Sequence, residues 1–255
     1  MPLQTIFSLP AIALLFLFSI FGIASYMASV GVLAFFGRRA ARLKDTIPVA
    51  TFMGTVTTAW ALALGFAAAD VWTVRSQAEH TASAERSSIS RLMGMADQDA
   101  LNLNALMDGL VSYRVAVQER EWGTSANQQP ADDVDQALQS IRLAIIRMTE
   151  TVPAPLIASL TQDFDELQDA RNMRLAIGSS SVNEYKWYLV FFLTFLSLVA
   201  IASVHADRPR AGRSALAIFS VAATASLWIL ALHANPYAGA TPLQFNAVYS
   251  ATSPQ

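Results

Sequence analysis

Cysteine is absent from the 255 residues, which excludes disulfides, thiolate nucleophiles and cysteine-based metal sites. Charge is scarce too. Only 14% of residues are charged against 54% hydrophobic, well below the ~25% charge of an ordinary soluble domain. The scarcity is local: the runs 10–36, 47–69, 187–204 and 215–232 carry no charged residue at all. A helix needs about 20 apolar residues to cross the hydrocarbon core of a bilayer, so each run reads as a transmembrane helix. Lys and Arg are missing from the first ten residues and from everything after His233. The first run is also too long for a signal-peptide core and has no basic residue before it, so a retained span is expected.

The basic residues collect in two short loops. GRRAARLKD holds Arg38, Arg39, Arg42 and Lys44 against Asp45, and ADRPRAGR holds Arg208, Arg210 and Arg213 against Asp207. Short basic loops stay in the cytoplasm. The expected protein is therefore multi-pass in an inner (plasma) membrane, with both termini and the long segment between the second and third spans extracytoplasmic. The expected divisions are a first transmembrane hairpin (1–70), an extracytoplasmic helical bundle (71–186), a second hairpin (187–233) and an uncharged tail (234–255).

The long segment has helical periodicity. Val71, Val74, Ala78, Thr81, Glu85, Ser88 and Leu92 alternate in steps of three and four. So do Leu103, Leu106, Leu110, Tyr113 and Val117, then Val134, Leu138, Ile141, Ile145 and Met148, then Ile157, Leu160, Phe164, Leu167, Arg171 and Arg174. Four such stripes, separated by the turns GTSANQQPADD and TVPAP, predict an all-α fold with a four-helix bundle. Neither Gly nor Pro interrupts 67–93, and only Gly178 interrupts 156–204, so the first and last bundle helices are expected to continue the membrane spans.

Glu85, Arg171 and Arg174 break the apolar stripes. Glu85 lies fifteen residues after Asp70 and Arg171 fifteen before Lys186, which at about 1.5 Å per residue places them at similar height. They can form an internal ion pair that fixes helix register, or they can attract anions above the membrane.

Sites for catalysis are not found. His80, His205 and His233 are isolated, and no GxSxG, P-loop or dinucleotide fingerprint occurs. The cluster Asp163, Asp165, Glu166 and Asp169 is spread around a helix axis by its spacing, as a solvated face would be. DDVD, 132–135, suits the negative charge favoured at a helix start. No metal, no cofactor, no enzymatic activity and no nucleic-acid partner is expected; between Val71 and Lys186 acids outnumber bases.

Several short motifs occur in a fixed order. They are LGF with Gly65 and Phe66, Glu85, Arg91 with Leu92, Tyr113, Glu121 with Trp122, RNMRL from Arg171 to Leu175, Trp187, and NPYAG with Pro236 and Gly239. In this order they resemble the bacterial bestrophin-like family, once a domain of unknown function, over nearly the whole chain. Tyr237 stands where Phe is expected and Asn235 where Asp is common. The resemblance implies kinship to pentameric anion channels whose second membrane helix lines a narrow apolar neck. The acidic calcium clasp of the animal proteins is missing. Bestrophins also keep their large domain in the cytoplasm, opposite to the side the basic loops indicate here.

The second span carries Thr51, Thr55, Thr58, Leu62, Gly65 and Ala69 on one stripe. Small and hydroxyl residues mark helix contacts in lipid, and Gly22, Ser25 and Ser29 of the first span offer a matching surface. In a homo-oligomer the same stripe can ring an axis, with the hydroxyls of Thr51, Thr55 and Thr58 replacing part of an ion's hydration and Leu62 narrowing the path. The resemblance, more than the residue chemistry, thus implies an oligomeric channel for small anions in a lipid bilayer. The alternative is a non-catalytic envelope scaffold, or a ligand-binding or sensor partner that uses the helical bundle.

Overall fold

A computed structural model describes residues 3–40 and 50–245. Arg42, Lys44 and Asp45 of the first basic loop lie outside the described residues, as does the tail beyond Phe245. The described secondary structure is helical throughout: α1 (Leu3–Phe7), α2 (Ala11–Ala40), α3 (Ala50–Ala96), α4 (Asn104–Ala116), a π-helix (Val117–Thr124), α5 (Asp132–Arg147), α6 (Ala154–Ser179), α7 (Glu184–Val204) and α8 (Pro209–His233). Four stretches are long and apolar enough to cross a membrane, within Ala11–Arg38, Thr51–Ala96, Ala154–Val204 and Pro209–His233. The chain divides into two compact units, residues 1–73 with 182–235, and residues 74–181 with 236–255.

In the first unit α2 packs on α7 and α8, because their apolar sequences have buried faces that fit each other. Leu14, Phe18, Ala67, Val71, Trp187, Val190, Leu227 and Leu230 form its main core, and Leu33, Leu198, Ile201 and Leu216 a second one. At Gly22 the small face of α2 meets α8. A Cβ on Gly22 would collide with Thr224 of α8, so it is α8 that Gly22 admits closely. The helix α1, not anticipated from the sequence, places the Phe7 ring 4.4 Å from that of Trp187, and the Leu3 N–H donates to Glu184 at 2.7 Å.

In the second unit the four periodic stripes face inward. Ile89, Leu92, Leu106, Leu110, Tyr113, Val134, Ile141, Leu160, Phe164 and Leu167 share one core. Asp132, Asp133 and Asp135 occupy the first turn of α5, where carboxylates oppose the positive helix end.

Contrary to the expectation from the sequence, the last bundle helix does not run unbroken into the third span. Helix α6 passes through Gly178 and stops at Ser179; α7 restarts at Glu184, with the Asn183 side chain accepting from the Lys186 N–H at 3.4 Å. Gly178 is required for a different reason. A Cβ there would run into the Asn127 backbone carbonyl, and Asn127 itself adopts φ 59°, a left-handed conformation that Asn tolerates better than most residues. The segment after Asn235 is not a free tail either. The Tyr237 ring packs edge-on against Trp122 at 5.3 Å and the Phe245 ring at 5.9 Å, while Arg75 donates to the Thr241 carbonyl at 2.8 Å.

Candidate functional site

Two features carry the chemistry of the chain, one in each unit. The first is the outward face of α3 within the membrane unit. Trp60 turns inward, its Nε1–H donating to Thr194 Oγ1 at 2.9 Å and its ring 4.9 Å from Phe219. Ala67 and Val71 are buried on the same side. A helix that buries 60, 67 and 71 must present 51, 55, 58 and 62 on its far side, since positions three and four apart share a face. Thr51, Thr55, Thr58, Leu62, Gly65 and Phe66 are accordingly exposed, with Leu62 at 59% and Phe66 at 71%. The Thr55 hydroxyl donates to the Thr51 carbonyl at 3.2 Å, a back-bond that lets a hydroxyl sit on a membrane helix without another partner. Of the first-span residues, Gly22 faces Thr224 of α8, and Ser29 is buried and donates to the Ser25 carbonyl at 2.6 Å.

The other spans expose no serine or threonine over residues 11–38, 187–204 and 215–233. Helix α2 shows Ile12, Phe16, Ile20, Ile23 and Met27, α7 shows Phe192, and α8 shows Ile218 and Val221. Those are bulky apolar side chains suited to lipid tails. The hydroxyl-rich half of α3 stands apart from them.

The second feature is a buried polar network in the helical unit. Arg174 is fully buried, with Nε donating to Glu85 at 2.6 Å and Nη2 to Glu85 at 3.1 Å and Glu121 at 2.8 Å; Nη1 donates to Asn127 Oδ1. Arg171 donates to Glu121 at 2.6 Å and 3.0 Å and pairs with the exposed Asp135 at 2.7 Å. Glu85 also accepts from the Tyr113 hydroxyl at 2.5 Å. Thus Glu85 meets Arg174, whereas Arg171 goes to Glu121, a residue the periodicity alone does not bring inward.

The π-helix brings it there. Tyr113, Val117 and Glu121 step by four, and four α-helical residues overshoot a turn by about 40°. The i→i+5 bonding after Val117 takes up the excess and returns Glu121 to the buried face. Burial raises the Tyr113 phenol well above its ordinary pKa, and the neighbouring Glu85 carboxylate adds to the rise. Burial chiefly raises Tyr237 as well. Burial lowers the Arg171 pKa, but Glu121, Tyr113 and Asp135 together outweigh it and raise the pKa overall.

The other motif residues distribute as follows. Arg91 is exposed, donates to Asp163 at 2.6 Å and pairs with Glu166, so part of the acidic cluster on α6 serves this cation. Trp122 is half-buried beside Tyr237, and Pro236 and Gly239 shape the turn after α8, Gly239 with φ 97°. The turn closes with the Leu243 N–H donating to the Pro236 carbonyl at 2.8 Å. Among the described residues no group of three His, Asp or Glu side chains is placed to hold a metal ion.

A family model described as a Bestrophin-like domain matches residues 22–246. The fold is similar to a solved bacterial bestrophin homologue from Klebsiella pneumoniae, with TM-score 0.67 and 15% identity over 91% of this chain and 94% of that one. Two single-substitution variants of that homologue give TM-scores of 0.66 and 0.65, each at 15% identity over 90% of this chain and 95% or 97% of theirs. No curated protein matches.

Proposed function

Because the chain belongs to the bestrophin-like family, we propose that this membrane protein is the subunit of a homo-oligomeric channel for small anions, with α3 of each copy lining the shared axis. The observation that carries the reading is the hydroxyl face of α3. Thr51, Thr55 and Thr58 are exposed on a helix whose opposite side is buried, while the other spans expose no serine or threonine over residues 11–38, 187–204 and 215–233. Four helices in one chain leave little room for a path along a central axis. Several copies, each turning this face to an axis, would line it with hydroxyl groups and close it down at Leu62.

In this reading the protein is not an enzyme, and the helical unit, inserted in the sequence between the second and third spans, has a structural role. The buried pairs Glu85–Arg174 and Glu121–Arg171 hold the register of its helices. Following the basic loops, that unit and both termini face outward from the bacterial inner membrane.

The test is halide flux into liposomes containing the purified chain. Thr55→Val with Thr58→Val keeps the shape of the face and removes two hydroxyls. The double variant is expected to fold and to change flux several-fold. Equal flux from the folded variant and the parent would return the threonines to helix packing.

A further inference from the structure

The two ends of the membrane unit differ in charge. Where α3 leaves the unit and α7 begins, charges are matched: Lys186 Nζ lies 2.5 Å from Asp70, and Glu184 accepts the Leu3 N–H. At the opposite end, where α2 and α7 finish and α8 begins, they are not. Two glycines draw these ends together. A Cβ on Gly37 would lie 3.2 Å from the Ala206 carbonyl, and one on Gly212 2.9 Å from His205 and 3.0 Å from Leu33. The last turns of α2, the turn after Val204 and the first turns of α8 therefore form one surface.

That surface exposes Arg38, Arg208, Arg210 and Arg213. Asp207 is the one carboxylate on it among the described residues; it reaches Arg208 at 3.5 Å, with both side chains mostly open to water, so the pair is weak. Arg208, Arg210 and Arg213 line a concavity of about 580 Å³ together with Pro209 and Ala211. Among the described residues neither Arg210 nor Arg213 pairs with a carboxylate.

We propose that this arginine concavity binds the phosphate of an anionic phospholipid headgroup. Guanidinium groups hold phosphate oxygens in pairs of parallel hydrogen bonds. The arginines stand where membrane helices end, which is the depth at which headgroup phosphates lie. A lipid also arrives already concentrated at that surface, whereas a free phosphate ion has no anchor there. Basic residues at a membrane surface each favour anionic lipid by up to about fivefold, so three set a ceiling of roughly a hundredfold, and about tenfold is expected where each keeps part of its contact with water.

The experiment is native mass spectrometry of the full-length chain in detergent, titrated with phosphatidylglycerol or phosphatidylcholine. The parent is expected to retain phosphatidylglycerol about tenfold better, and Arg208→Gln with Arg210→Gln and Arg213→Gln to lower that preference to within about twofold, at unchanged helix content by circular dichroism. Should the triple variant fail to fold, the single variants Arg210→Gln and Arg213→Gln are each expected to show a partial loss. Equal retention of both lipids by the parent, or a preference that survives the folded variants, would overturn the site. Displacement of the bound lipid by millimolar inorganic phosphate would assign the concavity to a free anion instead.

Discussion

Arg174 has all three guanidinium nitrogens engaged inside a bundle that excludes water. Its partners Glu85 and Glu121 are equally buried. Removing the cation alone leaves the Glu85 carboxylate with no counter-charge and only the Tyr113 hydroxyl, while Glu121 keeps Arg171, and breaking a buried pair from one side costs about 3–5 kcal/mol. Arg174→Met is therefore expected to lower the denaturation midpoint sharply, and adding Glu85→Gln to recover part of the loss; a single variant as stable as the parent would refute the assignment. Tyr113 supplies a pH dependence. Its phenol pKa is raised in the folded state, so its contribution is fully present below the unfolded value of about 10 and is lost as pH rises through the folded value. Thermal melts between pH 8 and 11 should fall more steeply for the parent than for Tyr113→Phe. Glu85 and Arg174 were legible in the sequence because they interrupt apolar stripes. Glu121 was legible only as a motif residue, since the π-helix breaks the period on which the stripe argument rests.

At the level of elements, the four bundle helices were legible because each has an apolar stripe of its own and polar turns between. What the stripes could not encode was address. The small face of α2 reads equally well as a partner for α3 or α8, and the geometry of Gly22 against Thr224 selects α8. The break before α7 followed the same lesson: Gly178 drew attention as a helix breaker, yet the chain breaks in the Ser- and Asn-containing stretch after it, where Asn183 caps α7. Gly178 serves close approach. Gly178→Ala is expected to push the Asn127 carbonyl away and disturb its bond to Arg174, at a cost of about 1–3 kcal/mol, read as a lower melting temperature; an unshifted melt would show that the contact gives way freely. The docking of the residues after Asn235 was not legible, because their contacts depend on Trp122 and Arg75 from distant parts of the chain.

For the whole molecule, membrane character came from four uncharged runs and family membership from the order of short motifs. Neither source specifies which side of the membrane the helical unit occupies. The absence of cysteine makes this testable, since a single Ser140→Cys on the exposed face of α5 would be the chain's one thiol. Labelling by a membrane-impermeant maleimide in intact cells is the outcome the basic loops predict; labelling only after lysis would give the chain the orientation of bestrophins instead. The central claim is that the hydroxyl face of α3 lines the conduit. It is tested most directly by measuring halide flux through Thr58→Cys protein before and after a charged, water-soluble thiol reagent, with Ile218→Cys on the lipid-suited face of α8 as the companion. Block of the Thr58→Cys flux, with Ile218→Cys and the parent unaffected, is the predicted result; a Thr58→Cys flux that continues unchanged after complete modification would contradict it.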